Sequence, residues 1–345
     1  MTIKHFRPFL SPSTKEFIYL KVCTMTQVGL KKKFTFFYFP TSFSSQKVLL
    51  ALYEKEVPFI PRLVRLFNGQ HNEPWYVKLN PEGVHVPVLQ DEENIITEPN
   101  KIIRYIDKVY SSEGPLLVPG EESELGQKVA TLQKKLDSIE MDIITYGIIY
   151  HPHLSESGCK IPGATQRSMR ENFAKRLSVL TDLATKHPAL RDAYLAKSQT
   201  AAQKFDIITD AVQVQRHLED IKTIMNEVEL QLKSIKESNK DFADDLWLFG
   251  PMFTAADISL TVLLNRFTLL GMDSLYFPSN RCPYIYSYYK QVQRRSSFLK
   301  LQAEISNINM TLLWETLKMA SPYIGGLGSI CLVGGAIYWL YHKYK

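Results

Sequence analysis

A proline set inside a short apolar strand is the feature that most constrains this chain. Val84-His85-Val86-Pro87-Val88-Leu89 reads as a strand, yet a central strand rejects proline, which has no amide to give the ladder. A cis X-Pro bond at the strand's start is one arrangement that admits it. The flanking residues supply the rest of a small sheet. Phe34 to Phe39 is an aromatic and β-branched run that predicts a buried strand. Pro40-Thr41-Ser42 breaks it, and Ser44 to Leu52 predicts a helix opening on hydroxyls. Phe59 to Leu66 predicts a second strand, with Arg62 and Arg65 among apolar neighbours. The turn Asn80-Pro81-Glu82-Gly83 leads into the proline-bearing strand. Gln90 to Ile96 then predicts a hairpin through Glu92-Glu93-Asn94, and Pro99 to Tyr110 a helix with Ile102, Ile103 and Ile106 inward.

Past a turn-rich stretch, Glu113-Gly114-Pro115 to Gly120, the pattern becomes helical. Val129, Leu132, Leu136, Ile139, Ile143, Tyr146 and Tyr150 recur at alternating three and four. That predicts one continuous helix face, with Lys134, Lys135 and Asp137 outward. His151-Pro152-His153 ends it. These histidines and Cys159 are not at zinc spacing, so no metal site is expected. Met169, Phe173, Leu177, Leu180 and Ala184 form a further apolar face. A strict seam follows at Ile207, Ala211, Val214, Leu218, Ile221, Met225, Val228, Leu232 and Ile235, the rhythm of a bundle helix. It suits either core packing or a dimer surface. After the charged Glu237 to Asp245, Thr254 and Asp257 stand at capping-box spacing before a buried helix, with Phe253 and Ile258 as staple residues.

Strand–helix–strand, then strand–strand–helix with a proline opening the third strand, resembles the thioredoxin-like half of a glutathione transferase. The Phe-Thr-x-Ala-Asp box at 253–257 and the run Pro283 to Phe298 are similar to that family's second half. The stretches Ser42-Phe-Ser-Ser-Gln-Lys-Val48 and His71-Asn-Glu-Pro-Trp-Tyr-Val-Lys-Leu-Asn80 resemble one branch of it, the ganglioside-induced differentiation-associated proteins. The expected fold class is therefore α+β. An extension over 1–33 precedes a thioredoxin-like N-terminal domain at 34–112 and a linker at 113–120. An all-α glutathione-transferase C-terminal domain follows at 121–303, with a helical insert near 160–240. An amphipathic segment at 304–318 and one C-terminal transmembrane helix at 319–341 complete the chain.

The transmembrane expectation rests on the residues themselves. Met319 to Tyr341 carries no charge, and about twenty residues of helix cross the roughly 30 Å hydrocarbon layer. Tyr323, Tyr338, Trp339 and Tyr341 lie near its ends, as interfacial aromatics do, with Lys318 before and Lys343 and Lys345 after. Such a tail anchor leaves the bulk of the chain in the cytosol, and moderate hydrophobicity with a basic tip favours the mitochondrial outer membrane. Ahead of it, the face of Ile305, Ile308, Leu312, Leu313 and Trp314 suits either the membrane surface or the folded domain. The basic residues of 1–30, with Glu16 as their only acid, fit a poorly ordered tail better than a presequence.

The net charge of +6 is spread along the 345 residues rather than gathered in a block, so no nucleic-acid partner is expected. Cys23, Cys159, Cys282 and Cys331 are scattered, as in a reduced cytosolic protein. The branch resemblance implies a role in mitochondrial network shape, mainly fission. The expected partners are the outer membrane, a second copy of the chain, cytoskeletal or fission-machinery proteins and a hydrophobic small ligand.

The transferase resemblance also implies a glutathione site, whose residues map unevenly onto this chain. Transferases activate the thiol with a hydroxyl or cysteine at the first helix's N-terminus, where amides and dipole favour an anion. Here Ser42, Ser44 and Ser45 occupy that place. Val86, ahead of Pro87, would meet the cysteinyl amide. The acid–serine pair that holds the γ-glutamyl carboxylate is replaced by Glu98-Pro99, and proline has neither hydroxyl nor amide to offer. No cofactor is required on this reading, and glutathione is a candidate ligand with a weakened site. Two readings stand: a tail-anchored adaptor on a transferase scaffold, and a membrane-bound glutathione transferase acting on hydrophobic electrophiles.

Overall fold

The computed structural model describes residues 33–83, 86–112, 114–120, 122–239 and 246–320. Four strands, β1 (Phe34–Tyr38), β2 (Phe59–Leu63), β3 (Val88–Asp91) and β4 (Asn94–Ile96), lie in the order β2-β1-β3-β4. β1 and β2 are parallel, with Phe34 beside Phe59, while β3 runs antiparallel to both β1 and β4. Pleating sends Phe34, Phe36 and Tyr38 into the core. The Val86–Pro87 peptide is cis, and β3 begins at the next residue. Helices α1 (Phe43–Glu54) and α3 (Pro99–Val109) cover the sheet, and the short α2 (Pro74–Leu79) follows β2. Ile102, Ile103 and Ile106 of α3 are fully buried, as their spacing requires.

The single helix expected over Val129–Tyr150 is two, α4 (Glu124–Asp137) and α5 (Met141–Tyr150). Ser138 closes the first. Its amide donates to the Lys134 carbonyl at 3.0 Å and its hydroxyl to the Lys135 carbonyl at 2.7 Å. The Met141 amide then turns back to Ile139. Periodicity carries across such a break because the break adds no apolar mismatch. Asp137, expected outward, instead turns inward to Lys47.

The insert forms a hairpin of α6 (Gly163–Lys186) and α7 (Arg191–Thr209), followed by the long α8 (Ala211–Ser238). The hairpin grips the thioredoxin-like half. Leu180, Ala184, Tyr194 and Ala201 pack on Val77 of α2, and the Tyr194 hydroxyl donates to the Asn72 carbonyl at 2.8 Å. Leu177, expected on that inner face, is 47% exposed. Asp210 ends the α7 segment and caps α8, accepting the Val212 amide at 2.8 Å, so Ile207 lies on a different helix from the rest of the seam. The seam residues Val214, Leu218, Ile221, Met225, Val228 and Leu232 are buried in the main core, which settles the seam as core rather than dimer surface. α8 reaches α5 at Gly147, where a Cβ would stand 2.6 Å from a Val214 methyl.

α9 (Ala255–Leu269), the short α10 (Asp273–Tyr276), α11 (Pro283–Val292) and α12 (Ser296–Ala320) complete the described fold. α12 is strapped along α1. Arg295 grips Glu54 through Nε at 2.6 Å and Nη2 at 2.7 Å, and Glu304 accepts the Tyr53 hydroxyl at 3.1 Å. Ile305 packs on the main core, and Ile308 with Leu312 packs on the second apolar cluster, so this face lies on the folded domain. Among the described residues no helix is long and apolar enough to cross a membrane. The expected span beyond Ala320, the extension over 1–32, residues 84–85 and residues 240–245 all fall outside the described residues.

The capping box forms as its spacing predicts. Thr254 donates to Asp257 through its amide and its hydroxyl, each at 2.8 Å. Asp257 does more than cap, because it also accepts the Leu248 amide at 2.9 Å and the Tyr288 hydroxyl at 3.1 Å. It is fully buried, and that burial pushes its carboxyl up to about 6 against those donors. A carboxyl raised from 3.8 to about 6 holds its proton longer in the folded state. Its contribution to stability is therefore present below the unfolded value and lost as pH rises through about 6. The stability gap between wild type and Asp257→Asn, read from denaturant midpoints, narrows by about 2–3 kcal/mol from acid to neutral pH. A gap that did not move with pH would contradict this.

Candidate functional site

The site expected from the sequence lies where β1 hands over to α1. The Ser42 amide bonds the Phe39 carbonyl at 2.9 Å, and Ser42 caps α1, its hydroxyl taking the Ser45 amide in a long 3.4 Å contact. Ser45 is buried, and its hydroxyl accepts the Phe39 amide, also at 3.4 Å. Gln46 closes the turn from Nε2 to the Pro40 carbonyl at 2.9 Å. Ser45 and Ser42 are thus engaged in building the turn. Ser44 is half-buried, and among the described residues its side chain makes no hydrogen bond.

Val86 is buried against Phe39, Val64, Tyr76 and Val88, in the cluster that also takes Ile308 of α12. The middle of α12 thus reaches the residues around the cis peptide. At the mouth of α3, Pro99 occupies the first helical position and Glu98 the cap, with no side-chain capping bond. Glu98 lies on the surface and pairs with Lys101 at 2.7 Å. Neither hydroxyl nor amide is offered at residue 99.

Behind this mouth lies a network that sequence reasoning missed. Lys47 of α1 is buried and pairs with Asp137 of α4 at 2.6 Å. Asn100 completes it. Its Oδ1 accepts Lys47 at 2.9 Å and its Nδ2 donates to Asp137 at 2.7 Å. Burial pulls the Lys47 ammonium below the usual lysine range, with Asp137 pulling the other way. The available signal was a lysine inside the otherwise uncharged run Phe34 to Tyr53.

A buried cation of the helical half also reaches the serine turn. Arg266 of α9 is buried, donating from Nη2 to the Thr41 carbonyl at 2.8 Å and from Nη1 to the Thr145 hydroxyl at 3.3 Å. Burial pushes its guanidinium down to about 10. Arg176 of α6 acts on Tyr146 together with Arg266, and on His71 together with Lys197. His71 is held neutral, pushed down to about 3 by burial first and by those cations second. None of these side chains was singled out as a functional group from the sequence, because they converge from helices far apart in the chain. The structure brings the three serines together on one turn, but Thr254 and Asp257 stand in the helical half as structural groups. Among the described residues no group of three or more potential ligands could hold a metal.

The sheet order, the cis proline and the helix opening beside it define a glutathione-transferase fold, with a thioredoxin-like first half. Residues 41–109 match the family described as glutathione S-transferase, N-terminal domain. The fold is similar to that of glutathione transferase URE2P8 from Phanerochaete chrysosporium, solved with oxidized glutathione. The TM-score is 0.55 over 82% of this chain and 99% of that one, at 15% identity. In sequence the chain is 30% identical to ganglioside-induced differentiation-associated protein 1-like 1 of Homo sapiens, over 91% of this chain and 88% of that protein. The Mus musculus protein of the same name matches at the same identity and coverage. The chain belongs to the ganglioside-induced differentiation-associated protein family.

Proposed function

We propose that this protein is a tail-anchored adaptor of the mitochondrial outer membrane. Its transferase-fold body faces the cytosol, pairs as a homodimer and engages cytoskeletal or fission-machinery proteins to shape the mitochondrial network. Ordinary glutathione conjugation is not its main work. The observation that carries this last point is Pro99 at the first position of α3. Two hydrogen bonds to a charged carboxylate, about 1.5–3 kcal/mol each, are missing there. Their loss amounts to roughly two to four orders of magnitude in affinity. Family membership and the uncharged stretch Met319 to Tyr341 support the membrane part of the reading.

A second reading, a membrane-bound transferase for hydrophobic electrophiles, draws on Ser44, half-buried at the mouth of α1. Calorimetric titration of glutathione into wild type and Pro99→Ser separates the two. The adaptor reading expects no binding by wild type at about millimolar ligand and measurable binding by Pro99→Ser. Binding by wild type at that concentration would favour the enzyme. The anchor has its own check: a chain ended at Lys318 is expected in the supernatant of a membrane preparation, and its pelleting with membranes would defeat the assignment.

A further inference from the structure

The insert hairpin holds the stretch between β2 and β3 by its main chain. Tyr194 of α7 donates to the Asn72 carbonyl at 2.8 Å, and Lys197 donates to the carbonyls of Asn80 and Gly83. Asn172 of α6 reaches the Phe67 carbonyl at 3.4 Å. Beside these bonds Leu180, Ala184 and Tyr194 pack on Val77 in a small apolar cluster of their own, apart from the main core. A junction built this way, from a few donors and one small cluster, can part without unmaking the rest of the fold.

His71 lies in this junction, buried, with Arg176 of α6 and Lys197 of α7 both acting on it. Arg176 acts on Lys197 as well. Burial first and Arg176 second push the Lys197 ammonium down to about 8, so it is still charged at neutral pH. Tyr76 of α2 and Tyr194 of α7 are pushed up by burial and stay neutral. Half-buried His187 stands against the Tyr194 ring, with ring centres 6.2 Å apart. Glu73, two residues along the chain, is on the surface and accepts the Trp75 indole N–H at 2.7 Å. Lys78 of α2 is exposed.

We infer that this junction is an acid-sensitive clasp: protonation of His71 sets a third positive charge beside Arg176 and Lys197 and frees the α6–α7 hairpin from the 67–83 stretch. A buried imidazolium has lost its hydration and meets repulsion from two cations. Opening hydrates it and uncovers Val77, Leu180, Ala184 and Tyr194, an apolar surface offered in the open form alone. Closed, His71 stays neutral down to about 3, whereas open it takes its proton at its ordinary 6.5. A group whose folded value lies below its free value stabilises the folded form above the free value, and that contribution is lost as pH falls. The clasp is therefore tightest above about pH 6.5, and its opening rises about tenfold for each pH unit below. It involves neither the serine turn nor the uncharged C-terminal stretch, so it is independent of how this protein meets glutathione or a membrane.

The test is native-state hydrogen exchange on the full chain in a non-ionic detergent, corrected for the intrinsic pH dependence of exchange. From about pH 7 to about pH 5 the opening equilibrium of the α6 and α7 amides is expected to rise about twentyfold. That of the α9 amides is expected to stay level or fall, because the Asp257 carboxyl holds α9 more firmly in acid. In His71→Gln, which cannot take the proton, the change in the hairpin is expected to shrink to about threefold or less. Hairpin opening that ignores pH in the wild-type protein, a rise shared equally by α9, or a full rise in a cooperatively melting His71→Gln would overturn the assignment. If His71→Gln does not fold, the imidazole of wild-type His71, followed by NMR, decides. It is expected to stay neutral at about pH 5, and a proton taken up near 6.5 would overturn the clasp.

Discussion

Helix α1 and the residue that caps its C-terminus carry two lysines, Lys47 and Lys55, into the interior, and much of the fold is arranged to meet them. A buried ammonium is tolerable only when paired and hydrogen-bonded. Lys55 meets Asp107 of α3 at 3.0 Å and donates to the Pro115 carbonyl at 3.1 Å. Asp107 in turn accepts the amides of Leu117 and Val118. The stretch that reads as a turn-rich linker is therefore pinned to the first half, and Leu117 is fully buried. Lys47 meets Asp137, which belongs to α4 of the helical half. Between them the two lysines fix α1 against α3, the connecting stretch and α4.

That fixing sets what the site can do. The serine turn at the mouth of α1 and Pro99 at the mouth of α3 are held in one frame by Lys47, Asn100 and Asp137. Ser42 and Ser45 work within the turn, and α12 brings Ile308 to the cluster around Val86. Near the turn stand Ser44, half-buried, and the Arg266 guanidinium on the Thr41 carbonyl.

Much of the sheet was legible in the sequence, because its signals are local. The strand at Phe34, the hairpin through Glu92-Glu93 and the cis proline each follow from residue types within a few positions. The capping box was legible for the same reason, although its spacing gave no hint that Leu248 and Tyr288 would also converge on Asp257. The break between α4 and α5 was hidden, since Ser138 stops the helix with hydrogen bonds rather than with glycine or proline. The roles of Lys47, Arg266 and Arg176 were illegible because a buried charge reads as a surface charge until its partner is known. Asp137 was misread as outward on that account.

The most direct measurement is the unfolding free energy of Asp137→Ala beside that of Lys47→Met/Asp137→Leu. With side chains 6% and 17% exposed, the pair is largely out of water. Removing Asp137 alone then strands a buried ammonium and is expected to cost about 3–5 kcal/mol, while replacing both partners recovers most of that loss. A single variant within about 0.5 kcal/mol of wild type would mean that Lys47 is effectively solvated. In that case α1 would not be held to the helical half in the way described.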